Sequence, residues 1–408
     1  MTALRRALDQ RFPAYTAFAA AGLPIYIYAP KYYADTFGVS LSVLGAMLFA
    51  LRLFDVVQDP VLGWIAERLR RARAGAVTLA AVLLAASMVG LFAVTPPIDP
   101  LWWFALMITG LFSAFSFLTV NFYAQGIAKV GSDDAGHVRL AAWRESGALG
   151  GICLAAIAPT FLMGLMDAPF AGFAWGFAAA TMVAALFMWR EWVPAVVQQP
   201  PTAIRTILAD RLARRLLLLA LVNATPLAVS STLFLFYVDS RLGAAGWEGP
   251  LLVLFFLSAA VSSPFWSLLS QRFGAKRVLL AAMCLAVAAF GWTLMLGTGD
   301  VGAFAIICVL SGATIGADLT LLPAMFAKRM AVVAPNGGQG FGLWSLVSKF
   351  TLAFAAALLL PLLESTGFSS GTDNPQAALN MLTGLYALVP SVLKLVAIGL
   401  LALTPLED

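Results

Sequence analysis

The run Leu51-Arg52-Leu53-Phe54-Asp55-Val56-Val57-Gln58-Asp59-Pro60 sets ionisable side chains inside an otherwise apolar stretch. On a helix, offsets of three and four put Arg52, Asp55 and Asp59 on one face. A charge at the centre of a membrane helix costs roughly 2.5–3.5 kcal/mol on insertion scales, so such a face turns away from lipid. Two carboxylates one turn apart repel when both are ionised. A proton, a neighbouring Arg or Lys, or a bound cation relieves them. The oxygens of Asp55, Gln58 and Asp59 suit a hard cation such as Na⁺. The same pair could instead carry a proton, and Arg52 could pair with Asp55 simply to pin helices together.

Other chemistries find little support. Cys153, Cys284 and Cys308 lie in apolar runs without metal-ligand spacing and read as small core residues. The one histidine, His137, follows the polar run Gly131-Ser132-Asp133-Asp134-Ala135-Gly136 and reads as solvated. A zinc site or a histidine-based triad is not expected, and no enzymatic constellation or cofactor is.

The elements that must position these residues follow from composition. Of the 408 residues, 61% are hydrophobic and only 11% charged, with a mean hydropathy of +0.90. A soluble domain carries about 25% charged residues, so this chain needs lipid as its solvent. The net charge of +5 sits in short basic clusters between apolar runs, as in Glu67-Arg68-Leu69-Arg70-Arg71. That is the pattern of cytoplasmic loops, and it speaks against nucleic acid as a partner. The basic, amphipathic residues 1–11 run straight into apolar sequence, so the first span reads as retained.

Apolar runs of spanning length predict twelve helices, at 13–34, 40–66, 75–96, 101–128, 140–165, 171–189, 214–239, 248–270, 278–297, 303–327, 341–365 and 378–403. With both termini inside, most Lys and Arg fall on the cytoplasmic side, and only Lys31 and Arg241 fall outside. The polar stretch 190–213 divides the chain near its midpoint. The expected organisation is an N-terminal six-helix bundle (1–189), a cytoplasmic linker (190–213) and a C-terminal six-helix bundle (214–408).

An internal repeat supports that division. Pro60-Val61-Leu62-Gly63-Trp64-Ile65-Ala66-Glu67-Arg68 in the first half is echoed by Pro264-Phe265-Trp266-Ser267-Leu268-Leu269-Ser270-Gln271-Arg272 in the second. Both resemble the loop signature of the major facilitator superfamily, whose acid and arginine latch the inner ends of helices. The resemblance implies a cytoplasmic gate at Glu67, Arg68 and Arg272, although Glu67 replaces the usual Asp and Gln271 has no charge. A basic loop that only sets topology is the plainer reading.

Within that superfamily, Tyr32-Tyr33-Ala34-Asp35 and Leu53-Phe54-Asp55-Val56-Val57-Gln58-Asp59-Pro60-Val61-Leu62-Gly63 resemble the glycoside–pentoside–hexuronide:cation symporters, typified by the melibiose permease. So does Gly342-Leu343-Trp344-Ser345-Leu346-Val347-Ser348-Lys349. The resemblance implies an all-α membrane protein with twelve transmembrane helices in two pseudo-symmetric six-helix bundles. It implies cation ligands at Asp55 and Asp59, a buried lysine at Lys349, and, through Trp143-Arg144-Glu145, a substrate-positioning arginine at Arg144.

The departures shift the expected substrate. The family's sugar-binding acid on helix one falls near Phe18-Ala19-Ala20, which has no acid. Its acid on helix four falls in Leu118-Thr119-Val120-Asn121-Phe122-Tyr123-Ala124-Gln125, where Thr119 or Asn121 takes the position and Thr119 joins the expected cation ligands. The polar and aromatic residues left for a solute include Tyr26, Asn121, Tyr123, Arg144, Trp344 and Lys349, a set that suits an anionic or amphiphilic compound better than a neutral sugar. The expectation is a symporter, coupled to Na⁺ or H⁺, for a sugar derivative or organic anion, acting as a monomer in a bacterial-type inner membrane. A lipid or amphiphile transporter on the same scaffold is the alternative. A non-transporting assembly or sensor protein is the third reading. Asp318 and Lys394 have no evident partner.

Overall fold

A chain in lipid must satisfy its backbone within each spanning segment, which leaves helices as the natural solution for runs like these. The structure, a computed structural model, describes residues 29–30, 32–33, 36–130, 134–162, 165–189, 192, 202–244, 246–368 and 374–405. Among the described residues every regular element is helical. They are α1 (Leu41–Arg68), α2 (Arg73–Phe92), α3 (Pro100–Val130), α4 (Asp134–Leu162), α5 (Pro169–Met188) and the short α6 (Ile204–Ala209), then α7 (Arg211–Phe236), α8 (Glu248–Phe273) and α9 (Ala275–Gly291). After these come α10 (Val301–Val333), α11 (Gly338–Glu364), α12 (Gln376–Thr383) and α13 (Val389–Ala402). A π-helical turn, Gly384–Leu388, joins α12 to α13 in one spanning stretch, and another, Tyr237–Arg241, ends α7.

Each expected span from the second to the twelfth has its helix here, and the first lies mostly outside the described residues. Eight helical stretches among the described residues are long and apolar enough to cross a membrane, and one of them, Val43–Phe92, contains both α1 and α2. The expectation for His137 is corrected. It is 3% exposed, because α4 begins at Asp134 and draws the histidine into a helix instead of leaving it in a solvated loop.

The chain forms two compact units. The first comprises residues 1–207 with 327–346, and the second comprises 208–326 with 347–408. The boundary between the units near 207 lies within residues 190–213, and the first unit also claims the end of α10 and the start of α11. Glycine explains that claim. A Cβ at Gly63 of α1 would lie 2.6 Å from the Gly338 carbonyl oxygen, and one at Gly342 would lie 2.9 Å from that of Asp59. Gly338 and Gly342, four residues apart, let the start of α11 meet α1 backbone to backbone, as small residues do between membrane helices.

In the first unit α2 packs on α3 and α5, and α1 on α3, around Leu84, Met88, Phe104, Ile108 and Phe177. In the second, α13 packs on α7 and α9, and a separate core gathers Leu233, Tyr237, Phe304, Leu359 and Tyr386. Its glycine pair, Gly312 and Gly316 on α10, meets the α8 backbone at Phe255 and Ala259. The sequence repeat has a structural counterpart. Pro60 and Pro264 both lie within helices, and Arg68 and Arg272 both occupy last turns, where the helix dipole favours a cation. The linker's Asp210 caps α7, accepting the Ala213 N–H at 2.8 Å.

Candidate functional site

The site of the first unit is built on α1. Asp55 is 6% exposed and Asp59 fully buried, while Arg52 beside them is half-buried. Asp55 Oδ1 accepts from the Gln58 amide at 2.9 Å and from the Ser116 hydroxyl of α3 at 3.1 Å. The Gln58 side-chain oxygen in turn accepts from Ser113 at 2.8 Å. Asp59 Oδ2 accepts from Ser345 of α11 at 2.5 Å. The glycine approach described above makes this last contact reachable. Acids on α1 thus meet neutral hydroxyl and amide groups from α1, α3 and α11, an oxygen-rich arrangement that suits a hard cation.

Ser113 and Ser116, three apart on one face of α3, reach the acid cluster. The half-buried Thr119 donates to its own helix at Phe115 (2.8 Å), and Asn121 does the same at Phe117 (2.9 Å). The spacing of Ser113 and Ser116 was the signal available, and Ser345 stood next to Trp344.

A second cluster surrounds Arg144 on α4. Its guanidinium lies 3.8 Å from the centroid of the Tyr123 ring, and that ring stacks on Phe341 at 4.1 Å with 17° between planes. Trp344 is buried one turn further on, its ring 6.5 Å from Phe341. Arg144 Nε donates to Glu145 at 2.8 Å. Nη2 lies 2.7 Å from the same Glu145 oxygen, yet it is buried without a well-aligned hydrogen bond. A poorly angled contact of this kind leaves the donor able to serve an anion. Lys349 is half-buried further along α11 and belongs to the second unit. Tyr26 lies outside the described residues.

The three gate residues differ. Glu67 is buried, and its carboxylate accepts the N–H groups of Gln339 at 2.8 Å and Thr202 at 3.0 Å. Gln339 stands in the first turn of α11, so Glu67 caps that helix and sits at the positive end of its dipole. Arg70 donates to the Asn336 side-chain oxygen at 3.0 Å, holding the turn just before α11. Arg68 and Arg272 are exposed, each lying over a neighbouring ring, Trp64 at 4.4 Å and Phe273 at 5.3 Å. Arg73, unremarked in the sequence, is buried and donates to Gln125 at 2.6 Å.

In the second unit the two intramembrane charges left without a partner find each other. Lys394 of α13 pairs with Asp318 Oδ2 of α10 and also donates to Asn223 of α7 at 2.8 Å. Among the described residues, Asp318 Oδ1 is buried with no hydrogen-bond partner.

Long apolar helices carrying buried charge clusters make this an α-helical membrane protein. Three solved structures of transporters share its fold. A bacterial homologue of the iron transporter ferroportin, outward-facing, matches with TM-score 0.67 at 15% identity over 96% of this chain and 99% of its own. The fucose:proton symporter of E. coli matches at 0.63 and 14%, over 99% and 98%. The human organic anion transporter MFSD10 (TETRAN) matches at 0.62 and 19%, over 98% of each. The model of the family described as MFS/sugar transport protein matches residues 14–408, and the chain belongs to that family.

Proposed function

We propose that this protein is a cation-coupled symporter that moves an acidic or amphiphilic small solute by alternating access. It works in a bacterial-type inner membrane with both termini in the cytoplasm. The observation that carries the reading is the pair of buried acids, Asp55 and Asp59, one helical turn apart and supported by Gln58, Ser113, Ser116 and Ser345. A scaffold gains nothing from two such costly groups, whereas a transporter gains a site whose charge changes when Na⁺ or H⁺ binds. The preference for an acidic solute rests on Arg144, whose Nη2 keeps donor capacity beside the Tyr123 and Phe341 rings. An apolar solute body would lie against such rings while its carboxylate met the guanidinium. The sugar-binding acid that the melibiose-permease resemblance would require on helix four has no counterpart in residues 118–125.

The test is uptake into proteoliposomes under an imposed Na⁺ or proton gradient, with organic anions, lysolipids and sugars offered in turn. Asp59→Asn should abolish gradient-driven uptake of the accepted solute while the protein stays folded. Arg144→Ala and Lys349→Ala should each weaken solute binding at least tenfold. Full gradient-dependent uptake by Asp59→Asn would place the coupling site elsewhere. Micromolar binding of a neutral disaccharide, unaffected by Lys349→Ala, would restore a sugar-symporter reading.

A further inference from the structure

A cavity of about 70 Å³ opens in the second unit beside Asp318, Lys394 and Asn223. One water needs roughly 10–15 Å³ on the same scale, so there is room for more than a single water. A second cavity of about 40 Å³ adjoins it, sharing Leu227, Ser230, Phe255, Phe290 and Ser311 in its wall. The two ends differ in chemistry. The first holds the charged pair. The second is lined by rings, among them Phe234, Phe304 and Tyr386. Tyr386 lies in the π-helical turn before α13 and stacks at 4.2 Å on Tyr237, which lies in the π-helical turn ending α7. Such turns recur at functional sites.

The hydroxyls around the polar end have already spent their protons. Ser230 donates to Pro226 at 3.0 Å, Ser311 to Ile307 at 2.6 Å, Thr314 to Ser311 at 2.8 Å and Ser391 to Ala387 at 2.7 Å, each to its own helix. What they can offer a ligand is acceptor lone pairs. Asp318 Oδ1, 6% exposed as a residue and without a partner, is the strongest acceptor in the wall. The lysine's charge is balanced by Asp318. A charged ligand would bring net charge into a buried place, whereas a neutral donor would satisfy Oδ1 and leave the balance intact.

We propose that this double cavity is a binding site for a neutral, hydroxyl-headed molecule with an apolar or aromatic body. The hydroxyl donates to Asp318 Oδ1, and the body extends past Phe255 and Phe290 toward Tyr386. The site lies wholly in the second unit and is separate from the acids of α1.

The test uses the full chain in lipid nanodiscs and tritiated para-propylphenol, with empty nanodiscs as the blank for partitioning. Three competitors keep the body and change the head: para-propylanisole has no donor, para-propylbenzoate is an anion and para-propylbenzylamine is a cation. Saturable phenol binding at least tenfold tighter than any of the three supports the proposal. Loss of that binding in Ala286→Phe, which fills the cavity and keeps the charged pair, places it. The paired substitution Asp318→Asn with Lys394→Met should weaken binding tenfold or more. Equal binding of the anisole, preference for either charged head, absence of saturable binding, or undiminished binding in Ala286→Phe would overturn the proposal. The head-group series on the unaltered protein decides the matter even where a variant does not fold.

Discussion

Asp55 and Asp59 in the first unit and Asp318 in the second are all buried in helices of spanning length, yet their surroundings differ in kind. The first unit crowds two carboxylates into one turn of α1 and gives them hydroxyl and amide donors from Ser116, Gln58 and Ser345. The second gives its single acid a lysine from another helix. Two carboxylates one turn apart respond when a cation arrives. Asp318 joined to Lys394 is neutral as a pair and suits a neutral guest. Buried acids in one chain can therefore serve different chemistry, according to the groups that surround them.

The largest effect should come from breaking the matched pair. Lys394→Ala leaves Asp318 buried and uncompensated, which should cost about 3–5 kcal/mol in unfolding free energy. Replacing both partners, Asp318→Leu with Lys394→Met, should restore most of that stability or exceed it. Asp59→Asn should behave oppositely, losing coupling while changing stability by under about 1 kcal/mol, since it removes one of two like charges. Denaturant titrations in detergent without added Na⁺ read all three. If Lys394→Ala proves harmless, the two units do not differ as described.

The second effect tests the glycine contact that brings α11 to Asp59. Gly338→Val would push a side chain against the Gly63 carbonyl and the Glu67 side chain. Overpacking of that kind costs about 1–3 kcal/mol. It should also lower cation affinity in the first unit, because Ser345 rides on the same helix. Phenol binding in the second unit should stay unchanged. A loss in both units would show that the two sites are not independent.

A smaller loss is expected at Glu67. The carboxylate receives two N–H groups at the start of α11, and glutamine keeps the shape while removing the charge. Glu67→Gln should cost about 1–2 kcal/mol, through weaker hydrogen bonds and the lost interaction with the helix dipole. The same substitution should leave the Asp55 and Asp59 site able to bind its cation. Hydrogen exchange at the Gln339 amide reads the first effect directly, and no change there would mean that Glu67 does not hold the helix end.

How much of this was legible beforehand depends on distance along the chain. The face of Arg52, Asp55 and Asp59 follows from the helical period alone, and the spans follow from apolar run length. Both needed only local information. Ser113 and Ser116 did not stand out, because serine is common in apolar helices and only packing decides which hydroxyls meet an acid. Asp318 and Lys394 are 76 residues apart, and nothing in either segment announces the other. Two opposite charges buried in one half of a membrane chain are, even so, a reason to look for a pair. The claim of the first unit on residues 327–346 was hidden for a related reason. Gly338 and Gly342 are visible in the sequence, but the carbonyls they approach belong to Gly63 and Asp59, far upstream. The polar neighbours of His137 suggest a loop, whereas the structure starts a helix there.

The smallest effect is also the most specific. Ser345 contributes one hydroxyl, at 2.5 Å from Asp59 Oδ2. Side-chain hydrogen bonds between membrane helices average about 0.6 kcal/mol, because the unfolded chain in lipid also finds partners. Ser345→Ala should therefore cost roughly that much stability, close to the limit of detection. Its consequence for cation binding should be easier to see. The hydroxyl fixes the direction in which the Asp59 carboxylate faces, and loss of that restraint should weaken cation affinity severalfold without abolishing coupling. Ser345→Thr keeps the hydroxyl and should recover the affinity, while Ser345→Cys, a poor donor of similar size, should not. Cation titrations of the three variants by protection from thermal unfolding separate these outcomes. If alanine, threonine and cysteine bind the cation alike, the contact between α11 and Asp59 is only structural, and coupling depends on α1 and α3 alone.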